Sequence, residues 1–465
     1  MQNLNTAKKD SKIYEKSSFD REFSQAPVPG LIFKTALPCV LAQLVNLLYS
    51  IVDRIFIGHI PKIGNEALAG VGICNTIIIL ISAFANFVGG GGAPLCSIAL
   101  GRGDREKAEK FLSQGFFLLV LFTVLLTAAV GLFLDPILKV TGASDQTLPY
   151  AHIYMAIYLS GTFFVMINVG LTPFLNVQGK ARQTMTSAVV GAVLNIALDP
   201  ILMFGFRMGV AGAAVATVIS QAISAAIVLF ILFGRTTPLH IEKRRMVPES
   251  HIVMKTLGLG LSPFVMTITE SLIGFVMNRE LSKYGDLYVS ALTIMQSAMQ
   301  MVSIPLQGFG QGTSPVISYN YGHRNQERVR LAVRIVFIVM TGYNLLLFLF
   351  MILNPGLIAQ IYTSDRRLIG LVSRILPVFY LGMTIFGLQR SCQNVFVAVG
   401  QARISIFIAL LRKIFLLIPL VFLLSGIFGV MEVYMAEPIA DGTAATICFL
   451  IFLYKFPRIL KKNQK

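Results

Sequence analysis

Long apolar runs broken by short polar loops set the pattern of this chain. An apolar run of about 20 residues is long enough to cross a bilayer as a helix. Twelve such runs are present, at 31–57, 68–92, 112–134, 150–174, 185–206, 210–233, 258–280, 288–314, 330–353, 372–398, 404–427 and 430–454. The pattern predicts an all-α membrane protein with twelve transmembrane helices.

The loops repeat in order. Gly103-Asp104-Arg105 matches Gly322-His323-Arg324, and Ser144-Asp145 matches Ser364-Asp365. GKAR at 179–182 matches GQAR at 400–403, and Gly209-Val210 matches Gly429-Val430. The offsets are 219, 220, 221 and 220 residues. Six spans per repeat is an even number, so both halves enter the membrane in the same direction. Parallel repeats give two six-helix lobes with a pseudo-twofold axis along the membrane normal, and a site between or within the lobes. The expected division is an N-terminal tail (1–30), an N-lobe (31–233), a linker (234–257), a C-lobe (258–454) and a C-terminal tail (455–465).

Composition agrees. The 465 residues are 55% hydrophobic and 13% charged, with a mean hydropathy of +0.73. Soluble domains carry roughly 25% charged residues. The first 30 residues are polar and have no apolar core, so no cleavable signal peptide is expected. Five cysteines stand singly in apolar segments without any CxxC, which points to neither a disulfide nor a metal framework. A net charge of +17 would suit nucleic acid, but the basic residues cluster in loops on one side. With Lys34 and Arg334 counted with their flanking loops, 27 fall on the side of both termini and eight on the other. This bias puts both termini in the cytoplasm of a multi-pass protein of the cell membrane, with the bilayer and not nucleic acid as partner.

The chemistry concentrates in Asn195–Gln221. Asn195 and Asp199 are four residues apart and share one helix face. A carboxylate in so apolar a run should face a protein interior or a wet cavity. Pro200 removes a backbone donor just after it and loosens the helix. GVAGAAVAT then sets Gly and Ala at the spacing of close helix contact. At 1.5 Å per residue, Asp53, Asp199 and Thr217 all fall roughly 7–11 Å below the outer surface, a depth that permits one polar cluster. Two carboxylates in a low dielectric do not both stay charged unless a cation shares the site, so a proton or a metal ion belongs there. Glu270 sits near mid-bilayer by the same arithmetic. Glu432, Glu437 and Asp441 interrupt the last span, and Arg390, Arg412 and Lys413 need partners within theirs. Met266, Met295, Gln296 and Gln389 stand among polar neighbours on C-lobe spans and are candidates for an adaptable cavity wall. No GxxxxGK[ST] string supports ATP drive, and no HExxH or Ser–His constellation supports a membrane-embedded enzyme.

Several strings together resemble the MATE (multidrug and toxic compound extrusion) family over nearly the whole chain after residue 30. They are VDRIFIG at 52–58, ALAGVGI at 67–73, GRGDREKAEK at 101–110, NIALDPILMFGFRMGVAGAAVAT at 195–217 and IPLQGFGQGTSPVISYNYG at 304–322. The resemblance is to the bacterial multidrug-exporting branch. It implies a monomeric antiporter without cofactor, coupled to H⁺ or Na⁺, which expels amphipathic, often cationic organic molecules. It also implies a cation site at Asp53, Asn195, Asp199 and Thr217, and an acidic position at Glu270. Some members carry an Asp in the tenth span where this chain has Gln389 and Arg390, so a C-lobe sodium site of that kind is not expected. Arg390 has Glu270 or Glu437 as prospective partner. The alternative transport reading is a lipid-linked oligosaccharide flippase of the same superfamily, which predicts a cavity dominated by Arg and Lys.

Overall fold

The structure, a computed structural model, describes residues 18–61, 63–234, 237–427 and 429–464. Residues 1–17 of the expected tail lie outside the described residues, as do Lys62, Arg235 and Lys465 of the charge count. No strand occurs among the described residues. Among the described residues, ten helices are long and apolar enough to cross a membrane, and two bent pairs, each counted as one span, bring the number to twelve.

In the N-lobe the spans are Val28–Gly58, Gly64–Gly101, Arg105–Leu132, the pair Leu148–Ser160 and Thr162–Asn176, Ala181–Gly205, and Val210–Phe233. In the C-lobe they are Ser250–Ser282, Leu287–Gly322, Gln326–Leu353, the pair Arg366–Gly382 and Ile385–Ala398, Ala402–Ser425, and Val433–Gln464. They are numbered 1–12 below. The repeat seen in the loops extends to the irregularities. Spans 4 and 10 bend by 60° and 40°. Spans 5 and 11 each contain a π-helical turn, at Ile201–Gly205 and Leu411–Leu417. Gly179 and Gly400, the first residues of the matched GKAR and GQAR strings, end their helices at φ of 75° and 74°, a left-handed backbone that favours glycine.

Several helices outrun their apolar cores. Span 2, expected at 68–92, continues to Gly101 through the run Gly89–Gly92. Each glycine disfavours an exposed helix by about 0.8–1.0 kcal/mol relative to Ala. Here packing overrides propensity, because neighbouring backbones occupy the space a side chain would need. A Cβ on Gly91 would stand 2.0 Å from the Thr256 carbonyl oxygen, and one on Gly89 2.5 Å from that of Gly170. Span 7 starts at Ser250, not 258. The linker before it is therefore shorter, and it is fastened to the N-lobe. The Leu239, Glu242 and Glu249 amides donate to Gln178, Ser113 and Gln114 at 2.9, 3.1 and 3.1 Å. Arg245 pairs with Glu109 at 2.5 Å.

The lobes press together on the face that carries both termini. Glycines of one lobe meet backbone of the other there: Gly101 meets Tyr319, Gly322 meets Ile98, Gly260 meets Phe87, and Gly308 and Gly312 meet Val40 and Ala36. Small residues let helix backbones approach closely where no hydrophobic force separates helix from lipid. The expected N-terminal tail joins this seal. Ser18–Gln25 is a helix whose Phe19 and Phe23 are buried against Tyr319, with ring centroids at 5.6 and 5.5 Å. The same rings lie 3.4 and 3.2 Å from where a Cβ on Gly179 of the N-lobe would be. Beyond the seal the lobes enclose cavities.

Candidate functional site

The N-lobe site begins with span 5. Asn195 and Asp199 occupy its last two α-helical turns, and both are buried. Pro200 follows, and the chain passes into a π turn in which the Phe206 amide donates to Ile201 at 2.9 Å. Span 6 returns immediately alongside. Gly212 allows this, since a Cβ there would stand 2.8 Å from the Leu202 and Met203 backbone. Thr217 thus faces Asn195. The Asn195 Nδ2 donates to Asp199 Oδ1 and to Thr217 Oγ1, both at 3.4 Å. Asp53 of span 1 is close enough for its charge to act on Asp199.

The oxygens of this cluster are under-satisfied. Asp53 Oδ1, Asn195 Oδ1 and Asp199 Oδ2 are buried and have no hydrogen-bond partner among the described residues. No ion pair among the described residues involves Asp53 or Asp199. Arg54, the chain neighbour of Asp53, is exposed and makes no such pair. Buried polar atoms are almost always bonded, so three unpartnered oxygens from one amide and two carboxylates call for an outside partner. A hard oxygen set of this kind suits a proton or Na⁺.

The cluster opens onto a cavity of about 330 Å³, whose wall includes Asn46, Tyr49, Asn168, Asn195, Thr217 and Gln221. Tyr49 neighbours Asp53 and Gln221, and Tyr154 lies beside Thr217. Asn168 donates to Gln221 Oε1 at 2.7 Å. Sequence reasoning missed Tyr49, Tyr154 and Asn168. A signal was available for one of them, because Tyr49 stands four residues before Asp53 on the same helix face.

A second cavity of about 230 Å³ lies between the lobes and shares Asn86, Pro173, Asn176, Gln307 and Gln311 with the first. Met266, Glu270 and Arg390 line it. The other four expected wall residues are elsewhere. Met295 is wholly buried, Gln389 is buried with its Oε1 unpartnered, and Gln296 is half-buried off both walls. Glu437 is drawn away from the cavity by basic partners. Lys413 Nζ stands 3.4 Å and Arg412 Nη2 3.9 Å from its Oε1. Arg412 also grips Asp441 with both arms, at 2.5 and 2.7 Å. Arg390 takes Glu270 as partner, at 3.8 Å. Depth along a helix was readable from sequence, but the face presented was not, and that misplaced Glu437.

Comparison with known proteins places this geometry in context. The profile of the family described as MatE matches residues 38–201 and 263–423, one segment in each lobe. The multidrug export protein MepA of Staphylococcus haemolyticus (strain JCSC1435) is 24% identical over 429 residues, 92% of this chain and 94% of its own length. MepA of Staphylococcus aureus (strain N315) is 25% identical over 434 residues, with the same coverage of 92% and 94%. An outward-facing multidrug resistance MATE family transporter of the MOP superfamily superposes with a TM-score of 0.88 at 23% identity, over 96% of this chain and 98% of that one. A MOP superfamily transporter from Pyrococcus furiosus, described as having a binding pocket of reverse polarity, gives a TM-score of 0.87 at 23% identity, over 96% and 98%.

Proposed function

Since this chain belongs to the MatE family, a family of membrane transporters and not of enzymes, we propose that it is a cation-coupled antiporter that exports amphipathic organic compounds by alternating access. The relatives named multidrug export proteins support the cargo class. The observation that carries the coupling is the set of three unpartnered oxygens on Asp53, Asn195 and Asp199. A proton or Na⁺ arriving there changes the charge beside Pro200, at the joint between an α-helical and a π-helical segment. Such a change biases a helix between two arrangements, by as much as the ion prefers one of them. Asn195, itself bonded to Thr217, orients the Asp199 carboxylate, and Tyr49 and Tyr154 flank the site from span 1 and span 4.

The termini lie in the cytoplasm on this reading, so the glycine seal is the cytoplasmic gate. The flippase alternative needs a cavity rich in Arg and Lys for a pyrophosphate. The inter-lobe wall instead pairs one Arg with one Glu, which disfavours it. The test is uptake into proteoliposomes with pH and Na⁺ gradients imposed separately. Transport driven by at least one gradient is expected. Transport indifferent to both would defeat the proposal.

A further inference from the structure

Among the described residues, six charged side chains stand inside the C-lobe on four spans, apart from the buried Glu280 near the end of span 7, which pairs with Lys283. Glu270 is on span 7, Arg390 on span 10, Arg412 and Lys413 on span 11, and Glu437 and Asp441 on span 12. Three are basic and three acidic. Four of them, Arg412, Lys413, Glu437 and Asp441, form ion pairs among themselves, with side chains at most 8% exposed. A buried pair of this quality is strongly destabilised by removing one partner, so these four charges are committed to each other.

The remaining two are different. The Glu270 side chain is 55% exposed and that of Arg390 24% exposed, and both stand on the wall of the inter-lobe cavity. Their closest approach is 3.8 Å, longer than a hydrogen bond. The Arg390 guanidinium is steadied from behind by the buried Phe386 ring at 5.2 Å, which also carries Arg412 on its other contact at 4.7 Å. The cavity therefore presents one anchored positive group and one accessible negative group, loosely matched and with no net charge.

We propose that Glu270 and Arg390 are the specificity-determining pair of this transporter, and that the cavity takes amphipathic zwitterions in preference to simple cations or anions. This rests on the export reading above. A monocation that takes Glu270 leaves Arg390 without its nearest counter-charge in a partly desolvated cavity. A monoanion that takes Arg390 strands Glu270 in the same way. A molecule with both an ammonium and a carboxylate replaces the loose pair with two direct contacts and strands neither. Unpaired charges in such surroundings are the costly ones. Met266 and the amide groups of Gln307 and Gln311 supply the apolar and adaptable parts of the same wall.

The test uses one fluorescent scaffold in three charge states with the purified full chain. Nε-dansyl-lysine is a zwitterion, its methyl ester is a cation at mildly acidic pH, and its Nα-acetyl derivative is an anion. The wild type should bind the zwitterion about tenfold more tightly than either derivative, the discrimination expected when one member of a charge pair is left unmatched. Arg390→Gln should reverse the order in favour of the ester, and Glu270→Gln in favour of the acetyl derivative. The double variant Glu270→Gln/Arg390→Gln should bind all three within a few-fold of one another, a result that a merely misfolded protein does not give. If the wild type binds ester and zwitterion equally, or if the single variants weaken all three probes in parallel, the inference is overturned while the export reading stands. If no form binds and none is transported, the export reading falls and the inference with it.

Discussion

A buried charge is tolerated only with a neutralising partner, and the two lobes meet that demand differently. In the C-lobe the partners are built in. Arg412 and Asp441 are bonded twice and almost wholly buried. Asp441→Asn should therefore destabilise the protein by about 3–5 kcal/mol, the usual effect of stranding one member of a buried pair. Chemical unfolding in detergent measures this, and a loss of less than about 1 kcal/mol would contradict the assigned pair. In the N-lobe neither Asp53 nor Asp199 forms an ion pair among the described residues. Asn195 and Asp199 were legible in the sequence because i and i+4 share a helix face whatever the fold. The partners of Glu437 were not, because helix rotation about its own axis is set by packing between spans. The sequence carries the depth of such a residue and leaves its direction open.

At the scale of the element, the informative departures are the helices that local propensity would break. The run Gly89–Gly92 stays helical because Gly170 on one side and Thr256 and Gly260 on the other press against it. Periodicity located the span but not its end, since tertiary contact supplies what propensity lacks. The seal also rests on Gly260, where any Cβ would stand 1.8 Å from the Phe87 carbonyl oxygen. Gly260→Val should therefore force the lobes apart on the face of the termini. Ser97 reports it, being fully buried with its hydroxyl donating to Pro315 across the lobe boundary at 3.2 Å. A single cysteine at Ser97 should resist a membrane-permeant maleimide in the parent and react several-fold faster in the Gly260→Val background. Equal reactivity in both would mean that the seal does not depend on this contact. Pro200 belongs to the same scale: the sequence predicted a loosened helix, and the structure has a π turn directly after the proline.

For the whole molecule, two lobes and twelve spans were legible because hydropathy and loop repeats survive without any knowledge of packing. The proposed orientation, with both termini in the cytoplasm, rests on the charge bias of the loops. A cysteine at Ser250, introduced after replacing the five native ones, should be inaccessible to impermeant reagents outside sealed cells; strong external labelling would invert the topology. The central claim is that the N-lobe cluster couples ion to cargo, and Asp199 tests it most directly. Asp199→Asn keeps the size and the bond from Asn195 but removes the charge that a proton or Na⁺ would answer. Dye binding to the purified variant and gradient-driven efflux from energised vesicles are measured as a pair. The account predicts binding within a few-fold of the wild type and efflux abolished under both gradients. Near wild-type pumping by Asp199→Asn under an H⁺ or a Na⁺ gradient would contradict it.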